Sequence, residues 1–171
     1  EEQFYLFYQL FLIFFWKKGK FFIINTIFLM FCFSFMLSEY LSIYQPSFNF
    51  FMLPTRAWEL FVGAFISFFL FDRYGSNVPP KYKYSNILSL VGAMLVLFSI
   101  FYIDSSTRFP SSITLLPVIG TAFLILFAVK GTALYYIFSQ KYIVFLGLLS
   151  YSLYLWHQPI LVFGRMILGE N

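Results

Sequence analysis

The sequence predicts an all-α fold, a polytopic transmembrane helix bundle of about six spans, and composition is the first reason. Of the 171 residues, 61% are hydrophobic and only 11% are charged, and the mean hydropathy is +0.82. A soluble domain of this length needs more charge to cover its surface. The apolar residues also form continuous runs, unlike the alternating strands of a membrane barrel. The runs cover residues 4–16, 21–37, 57–71, 87–103, 113–129 and 142–163.

The positive charges predict which way these helices cross the membrane. All seven lysines fall in alternate connections, together with Arg73. Arg56, Arg108 and Arg165 fall on the other side. Because cytoplasmic connections are enriched in lysine and arginine, the lysine-bearing side is predicted to be cytoplasmic, and the chain to begin and end on the extracytoplasmic side. The lysine-bearing connections are residues 17–20, 72–86 and 130–141.

Composition and motifs argue against several classes of site. The single cysteine, Cys32, has no partner for a disulfide or a thiolate metal site. With one histidine in the chain, no metal site is expected. The net charge is +4. In a membrane protein the distribution of lysine and arginine matters more than this sum, so no nucleic-acid partner is expected. The chain begins at Glu1 without a signal-peptide pattern and is therefore expected to be an internal piece of a longer protein.

The last apolar run carries an unusual set of polar residues. Gly147, Ser150, Tyr154 and His157 are spaced at i, i+3, i+7 and i+10 and share one face of a helix. This polar stripe is predicted to face protein or a wet cavity. Pro159 is predicted to kink or end the helix just beyond it. The alternative is that His157 is a packing residue at the membrane interface and that Ser150 bonds a carbonyl of its own helix four residues earlier.

A second candidate is the pair Arg56 and Glu59. Pro54 disfavours helix for Leu53, so a helix is predicted to start next, with Thr55 as its cap. Arg56 and Glu59 are then i and i+3 and within reach of each other. An unpaired charge at a helix centre in the bilayer costs about 3 kcal/mol. The pair therefore either anchors a helix end or serves binding or catalysis, and both alternatives stay open.

A third candidate lies at the start of the chain. Glu1 and Glu2 either mark a non-cytoplasmic helix end and favour its dipole, or they line a cavity together with Gln3 and Tyr5. On the predicted topology these residues, the Arg56 pair and His157 all fall in the outer half of the membrane. The sequence therefore predicts one polar cavity near the extracytoplasmic face.

Three segments resemble those of a known family. In chain order they are residues 1–6 (EEQFYL), 54–60 (PTRAWEL) and 150–157 (SYSLYLWH). They are similar to the acyltransferase 3 family of bacterial inner-membrane proteins, in particular to its O-acetyltransferase branch that modifies lipopolysaccharide O-antigen and related surface glycans. The likeness covers residues 1–171. It implies a partial membrane domain whose N-terminal spans and last span lie outside this sequence.

The resemblance implies a multi-pass protein of the bacterial inner membrane that transfers an acyl group, with acetyl-CoA as donor and no bound cofactor. The acceptor would be a hydroxyl of a cell-surface glycan such as lipopolysaccharide O-antigen. The family's proposed catalytic histidine lies in a first span that this sequence does not contain, so His157 is not that base. This chain alone is therefore expected to be inactive.

Carried onto this sequence, the resemblance assigns two sets of residues. In the catalytic set, Arg56 supplies positive charge to an oxyanion or to the acceptor, and Glu2 or Glu59 orients the histidine or the sugar. The substrate-binding set is Glu1, Gln3, Tyr5, Ser150, Tyr154 and His157. Two alternatives remain, a polytopic transporter or flippase fragment whose charges line a path, and a non-catalytic membrane scaffold.

Overall fold

The computed structural model describes residues 2–75, 79–104 and 110–168, and every regular element in these ranges is helical. This confirms the predicted all-α fold. Short 3-10 turns lie at Trp16–Lys18 and Ser112–Thr114. The helices in chain order are α1 (Glu2–Phe15), α2 (Lys20–Tyr44), α3 (Pro46–Phe51), α4 (Leu53–Tyr74), α5 (Ser85–Tyr102), α6 (Leu115–Phe127), α7 (Ala133–Phe138) and α8 (Lys141–Leu168).

Each of the six predicted apolar runs overlaps a helix, but not every helix is long enough to cross a bilayer. A hydrocarbon core about 30 Å thick needs about 20 helical residues. In the described ranges, three helices combine sufficient length and hydropathy, namely α2, α4 and α5. α6 has 13 residues, and at about 1.5 Å per residue it is only about 20 Å long. The prediction of about six spans is therefore not confirmed.

α2 and α4 form the buried centre of the bundle. Ile23 and Ile27 of α2 are buried in one cluster with Ala57 and Phe61 of α4, and Phe4 of α1 completes it. The start of α2 lies beside the end of α4, since Lys20 forms an ion pair with Asp72. The two helices are therefore antiparallel, as the alternating topology predicts.

α5 and α6 make the closest helix contact in the described structure, and two glycines permit it. A methyl group added at Gly92 would lie 2.7 Å from the Gly120 carbonyl oxygen, and one added at Gly120 would lie 2.8 Å from the Gly92 carbonyl oxygen. Small residues at such a contact let two helix backbones approach closely, which gains dispersion energy where lipid supplies no hydrophobic drive.

The connections meet at the two ends of the bundle. We call one the lysine end; it holds residues 16–20, 72–75, 79–84 and 128–141. There, Lys81 Nζ donates a hydrogen bond to the Gly131 carbonyl oxygen at 2.6 Å. At the opposite end, which holds residues 38–56 and 110–114, the side-chain amide of Asn49 donates to the carbonyl oxygens of Ser38 and Pro110. The pattern of lysines along the sequence thus predicts correctly which connections share an end.

The helices differ from the apolar runs most clearly in α2, α3 and α7. α2 continues to Tyr44 rather than ending near residue 37, because Ser34, Ser38 and Ser42 are buried on one face and do not interrupt the helix. α3 and α7 form in stretches predicted to be loops. α3 begins at Pro46, in the first turn where proline is tolerated. α7 is capped by Thr132, whose hydroxyl accepts a hydrogen bond from the Tyr135 backbone N–H at 3.3 Å.

α8 is the least embedded helix of the described structure. Nearly all of its described side chains are exposed, and it packs against the neighbouring α7. Pro159 lies inside the helix, which runs on to Leu168. Of the two outcomes predicted for Pro159, a kink or a helix end, the helix end just past His157 is therefore wrong.

Candidate functional site

The site begins where α4 begins. Met52 is extended and the helix starts at Leu53, with Pro54 in the first turn. Proline is accepted there because its missing N–H would have no partner in the helix. The Thr55 hydroxyl donates to the carbonyl oxygens of Met52, at 2.7 Å, and Asn49, at 2.6 Å. Thr55 thus holds α4 to the preceding segment instead of capping the helix, which corrects the prediction for this residue.

Arg56 and Glu59 pair as their spacing predicts. The Nη2 atom of Arg56 lies 3.4 Å from Oε2 of Glu59. The guanidinium group also lies over the Phe50 ring, 5.2 Å from its centroid. The Glu59 side chain is only 16% exposed, whereas that of Arg56 is 36% exposed. The carboxylate is therefore directed into the bundle, and the cation stays partly accessible beside it.

Glu59 lines a cavity of about 310 Å³ between α4 and α6. The two helices run parallel, since both begin near the end of the bundle that holds residues 38–56 and 110–114. Apart from Glu59, most of its lining is apolar. The Thr121 hydroxyl donates to the Pro117 carbonyl oxygen of its own helix. Among the lining residues, Glu59 is the one that carries a charge. The lining residues are Glu59, Val62, Gly63, Ile66, Thr114, Pro117, Val118, Thr121, Ala122 and Ile125.

Trp58 sets the direction in which Glu59 points. The Trp58 side chain is fully buried and packs edge-on against Phe35 of α2, with ring centroids 5.1 Å apart. Its backbone N–H donates to the Ser34 hydroxyl at 3.0 Å. Consecutive helical residues point about 100° apart, so fixing Trp58 against α2 turns Glu59 toward α6. Sequence reasoning missed Trp58, although it lies inside the PTRAWEL segment.

Asn49 holds together the chain segments around the site. It is fully buried, and its Nδ2 donates to the Ser38 and Pro110 carbonyl oxygens, each at 3.0 Å. The backbone carbonyl oxygen of Asn49 accepts a hydrogen bond from the Thr55 hydroxyl. Nearby, the Ser112 backbone N–H donates to the Glu39 carboxylate. Sequence reasoning missed this residue too, and the available signal was an amide within the aromatic run of residues 48–51.

The start of α1 lies beside α4, but its apolar side makes the contact. Phe4 is buried with its ring 5.3 Å from that of Phe61. Gln3 and Tyr5 are exposed. Glu1 lies outside the described residues, and of Glu2 only the backbone is described, as the first residue of α1. The structure therefore brings the two helix starts together without bringing the described polar side chains of α1 to the Arg56–Glu59 pair.

The polar stripe of α8 is satisfied within its own helix. The Ser150 hydroxyl donates to the Gly147 carbonyl oxygen at 2.6 Å, three residues earlier rather than the predicted four. His157 donates through Nδ1 to the Tyr154 carbonyl oxygen. Ser150, Tyr154 and His157 are all exposed. In the part of the chain that the structure describes, the stripe therefore does not face protein or the α4–α6 cavity, in contrast to the prediction. Local carbonyls meet its hydrogen-bonding needs, so it requires no partner helix.

The chain that carries this site belongs to an acyltransferase family. A family model described as an acyltransferase domain matches residues 1–171, and the chain is a member of that family. The peptidoglycan O-acetyltransferase OatA of Listeria monocytogenes is 27% identical to this chain over 178 residues, which cover 98% of the chain and 28% of OatA. The chain thus spans just over a quarter of the length of this relative. No solved structure matches the chain.

Proposed function

We propose that this chain forms part of a membrane O-acyltransferase and that the Arg56–Glu59 pair, beside the α4–α6 cavity, belongs to its reaction site. The observation that carries the proposal is the half-accessible guanidinium held next to a nearly buried carboxylate at the start of a membrane helix. Family membership supports the reaction type. Ionisable residues kept inside membrane helices are costly, which supports a functional role for this pair.

The proposed chemistry moves an acetyl group from acetyl-CoA to a sugar hydroxyl. The hydroxyl oxygen attacks the thioester carbonyl carbon and gives up its proton to a base, the carbon–sulfur bond breaks, and CoA leaves as the thiolate. A hydroxyl is a weak nucleophile, so the reaction needs a base and donors directed at the developing oxyanion. Arg56 would supply those donors. Glu59 would hold Arg56 in place and orient the sugar.

We propose a cell-surface glycan as acceptor and the bacterial inner membrane as the location. The resemblance of the three segments favours lipopolysaccharide O-antigen. The name of the relative OatA gives peptidoglycan as its acceptor, which makes peptidoglycan the second candidate here. The predicted cytoplasmic lysine end places Arg56 and Glu59 in the extracytoplasmic half of the membrane, where such glycans are reached. Glu2 stays a candidate for the catalytic set, and Glu1, Gln3, Tyr5 and the α8 residues Ser150, Tyr154 and His157 stay candidates for binding.

Neutralising either member of the pair tests this proposal. Arg56→Gln removes the charged donors and Glu59→Gln removes the carboxylate while keeping its shape. Loss of one oxyanion donor costs about 100- to 1,000-fold in kcat, so each variant should reduce glycan acetylation at least 100-fold. The measurement is acetate released by base from separately purified lipopolysaccharide and peptidoglycan of cells that express each variant.

Two matched variants control for charge and for insertion. Arg165→Gln removes an exposed arginine of α8, and Asp104→Asn removes an exposed carboxylate that follows α5; both should keep acetylation near the wild-type level. Membrane levels of every variant are compared by immunoblot. Acetylation that persists in both Arg56→Gln and Glu59→Gln would exclude the pair from the reaction. Acylation of both glycans that is unchanged when the gene is deleted would instead exclude the function itself.

A further inference from the structure

A second cavity, of about 440 Å³, lies at the lysine end, at the opposite end of the bundle from the Arg56–Glu59 pair. It is formed by the start of α2 and the end of α4, together with the 3-10 turn that follows α1. Its size falls in the range of small-molecule sites. The lining residues are Trp16, Lys20, Ile23, Phe68, Phe71 and Asp72.

The rim of this cavity is charged and positive on balance. Lys20 Nζ forms an ion pair with the Asp72 carboxylate, and both side chains are open to solvent, at 42% and 69% exposure. Lys17 and Lys18 precede Lys20 in the turn, and Arg73 follows Asp72. Lys20 is therefore the cation that lines the cavity, and three further cations lie within two residues of its lining residues along the chain. An anionic group approaching this rim meets a net attraction even while Asp72 is ionised.

The wall below the rim is apolar. Ile23 is buried at the base, and Phe68 and Phe71 of α4 form one side. Trp16 is exposed at the rim, the position that tryptophan prefers at membrane interfaces. The Lys18 ammonium group of the same turn lies over the rings of Phe15 and Phe22, 5.3 and 5.0 Å from their centroids, and so makes cation–π contacts with them. The cavity therefore matches an amphiphile with a charged head and a hydrocarbon tail.

We propose that this cavity binds one anionic phospholipid, with its phosphate on Lys20 and an acyl chain along Ile23, Phe68 and Phe71. Basic pockets between membrane helices on the cytoplasmic side suit such headgroups. A zwitterionic headgroup has no net negative charge for the excess of cations to attract. A small soluble phosphate has no hydrocarbon chain to cover the apolar wall. This site is separate from the proposed acyl-transfer site and does not depend on that function.

Asp72 gives the proposal a sharp test, because it competes with the lipid phosphate for Lys20. Lys20→Gln and Asp72→Asn both abolish the same ion pair, so any structural effect of losing that pair is common to the two variants. Such exposed pairs contribute only about 0–1 kcal/mol to stability. Their effects on lipid binding should nevertheless be opposite, since one variant removes an attractive charge and the other a repulsive one.

The experiment titrates phosphatidylglycerol and phosphatidylcholine into the intact purified protein and counts bound lipid by native mass spectrometry. The wild type should prefer phosphatidylglycerol. Lys20→Gln should weaken its binding about fivefold, and Asp72→Asn should strengthen it by a similar factor. Lys141→Gln removes an exposed lysine from the same end of the bundle and should have little effect. Glycerol phosphate, added at millimolar concentration, should not displace the lipid.

Three results would overturn the proposal. Equal losses in Lys20→Gln and Lys141→Gln would show only a general attraction to the basic face. A loss in both Lys20→Gln and Asp72→Asn would show that the ion pair, and not the lysine charge, matters. Displacement by glycerol phosphate would identify a site for soluble anions instead of a lipid.

Discussion

At the scale of single residues, the candidate site depends on buried polar groups as much as on the charged pair. Asn49 has no exposed surface, and its amide reaches two carbonyl oxygens from different parts of the chain. Thr55 links Asn49 to the first turn of α4. Arg56 follows directly, so the position of its guanidinium depends on contacts made by its uncharged neighbours.

Asn49→Asp should therefore destabilise the protein strongly. The carboxylate keeps the size of the amide but loses both donated hydrogen bonds, and it places a charge against two carbonyl oxygens in a buried site. We expect a loss of at least about 2 kcal/mol in the free energy of unfolding. The measurement is thermal unfolding of the purified protein in detergent.

Asn86→Asp is the matched control for this variant. Asn86 is exposed, and its Oδ1 accepts a hydrogen bond from the Ala133 backbone N–H, which a carboxylate oxygen also accepts. Its unfolding temperature should stay close to that of the wild type. If Asn49→Asp unfolds no earlier than Asn86→Asp, then Asn49 does not hold these segments together.

The sequence predicts the contacts that are local and misses those that are not. Arg56 and Glu59 are three residues apart, and helical geometry alone brings them together. Asn49 and Pro110 are 61 residues apart, and their contact depends on how α2, α4 and α6 pack. No spacing rule covers such a pair, so this part of the site required the structure.

At the scale of helices, the pair of α5 and α6 relies on close backbone approach. Neither Gly92 nor Gly120 has a positive φ, so backbone conformation does not explain why glycine occupies these two positions. The reason is space. A Cβ atom at either glycine would lie less than 3.0 Å from the carbonyl oxygen of the other, which is closer than Cβ atoms come to other heavy atoms in proteins.

Gly120→Ala should push α5 and α6 apart and destabilise the protein. The added methyl group meets backbone, which cannot move aside as a flexible side chain does, and overpacking of this kind costs about 1–3 kcal/mol. The measurement is again thermal unfolding in detergent. Gly164→Ala is the control, since a methyl group there meets no atom within 4 Å. Equal unfolding temperatures for the two variants would refute the close contact.

The existence of the six longer helices was predictable from the apolar runs, whereas the short helices α3 and α7, the helix ends and the number of membrane spans were not. The runs end at polar residues such as Ser38, but in α2 the serines are buried and the helix continues. α4 begins earlier than predicted because Pro54 fits a first turn. The length of α6 depends on where its ends fall, and at 13 residues this helix is shorter than a span requires.

At the scale of the whole molecule, the charge pattern predicts the arrangement of the connections and fails for α8. Connections that carry lysine meet at one end of the bundle, and those between them meet at the other. This pattern reflects a constraint on every loop. The charge pattern does not determine where α8 packs. The Ser150 and His157 side chains bond to carbonyl oxygens of their own helix, so these polar groups do not require contact with another helix. Of the three segments predicted to converge, the starts of α1 and α4 lie side by side, but the described polar side chains of α1 do not reach the Arg56–Glu59 pair.

The central claim is that Arg56 and Glu59 take part in the reaction instead of merely anchoring α4, and exchanging the two charges tests it most directly. The double variant Arg56→Glu with Glu59→Arg keeps an ion pair at i and i+3. A purely structural pair would tolerate the exchange. A reaction site would not, because position 59, which lines the cavity, would then carry the cation instead of the carboxylate. The measurement is acetylation of purified glycans, with membrane level and unfolding temperature determined in parallel. Our account predicts a normally inserted, stable protein that does not acetylate; wild-type acetylation by the exchanged protein would contradict it.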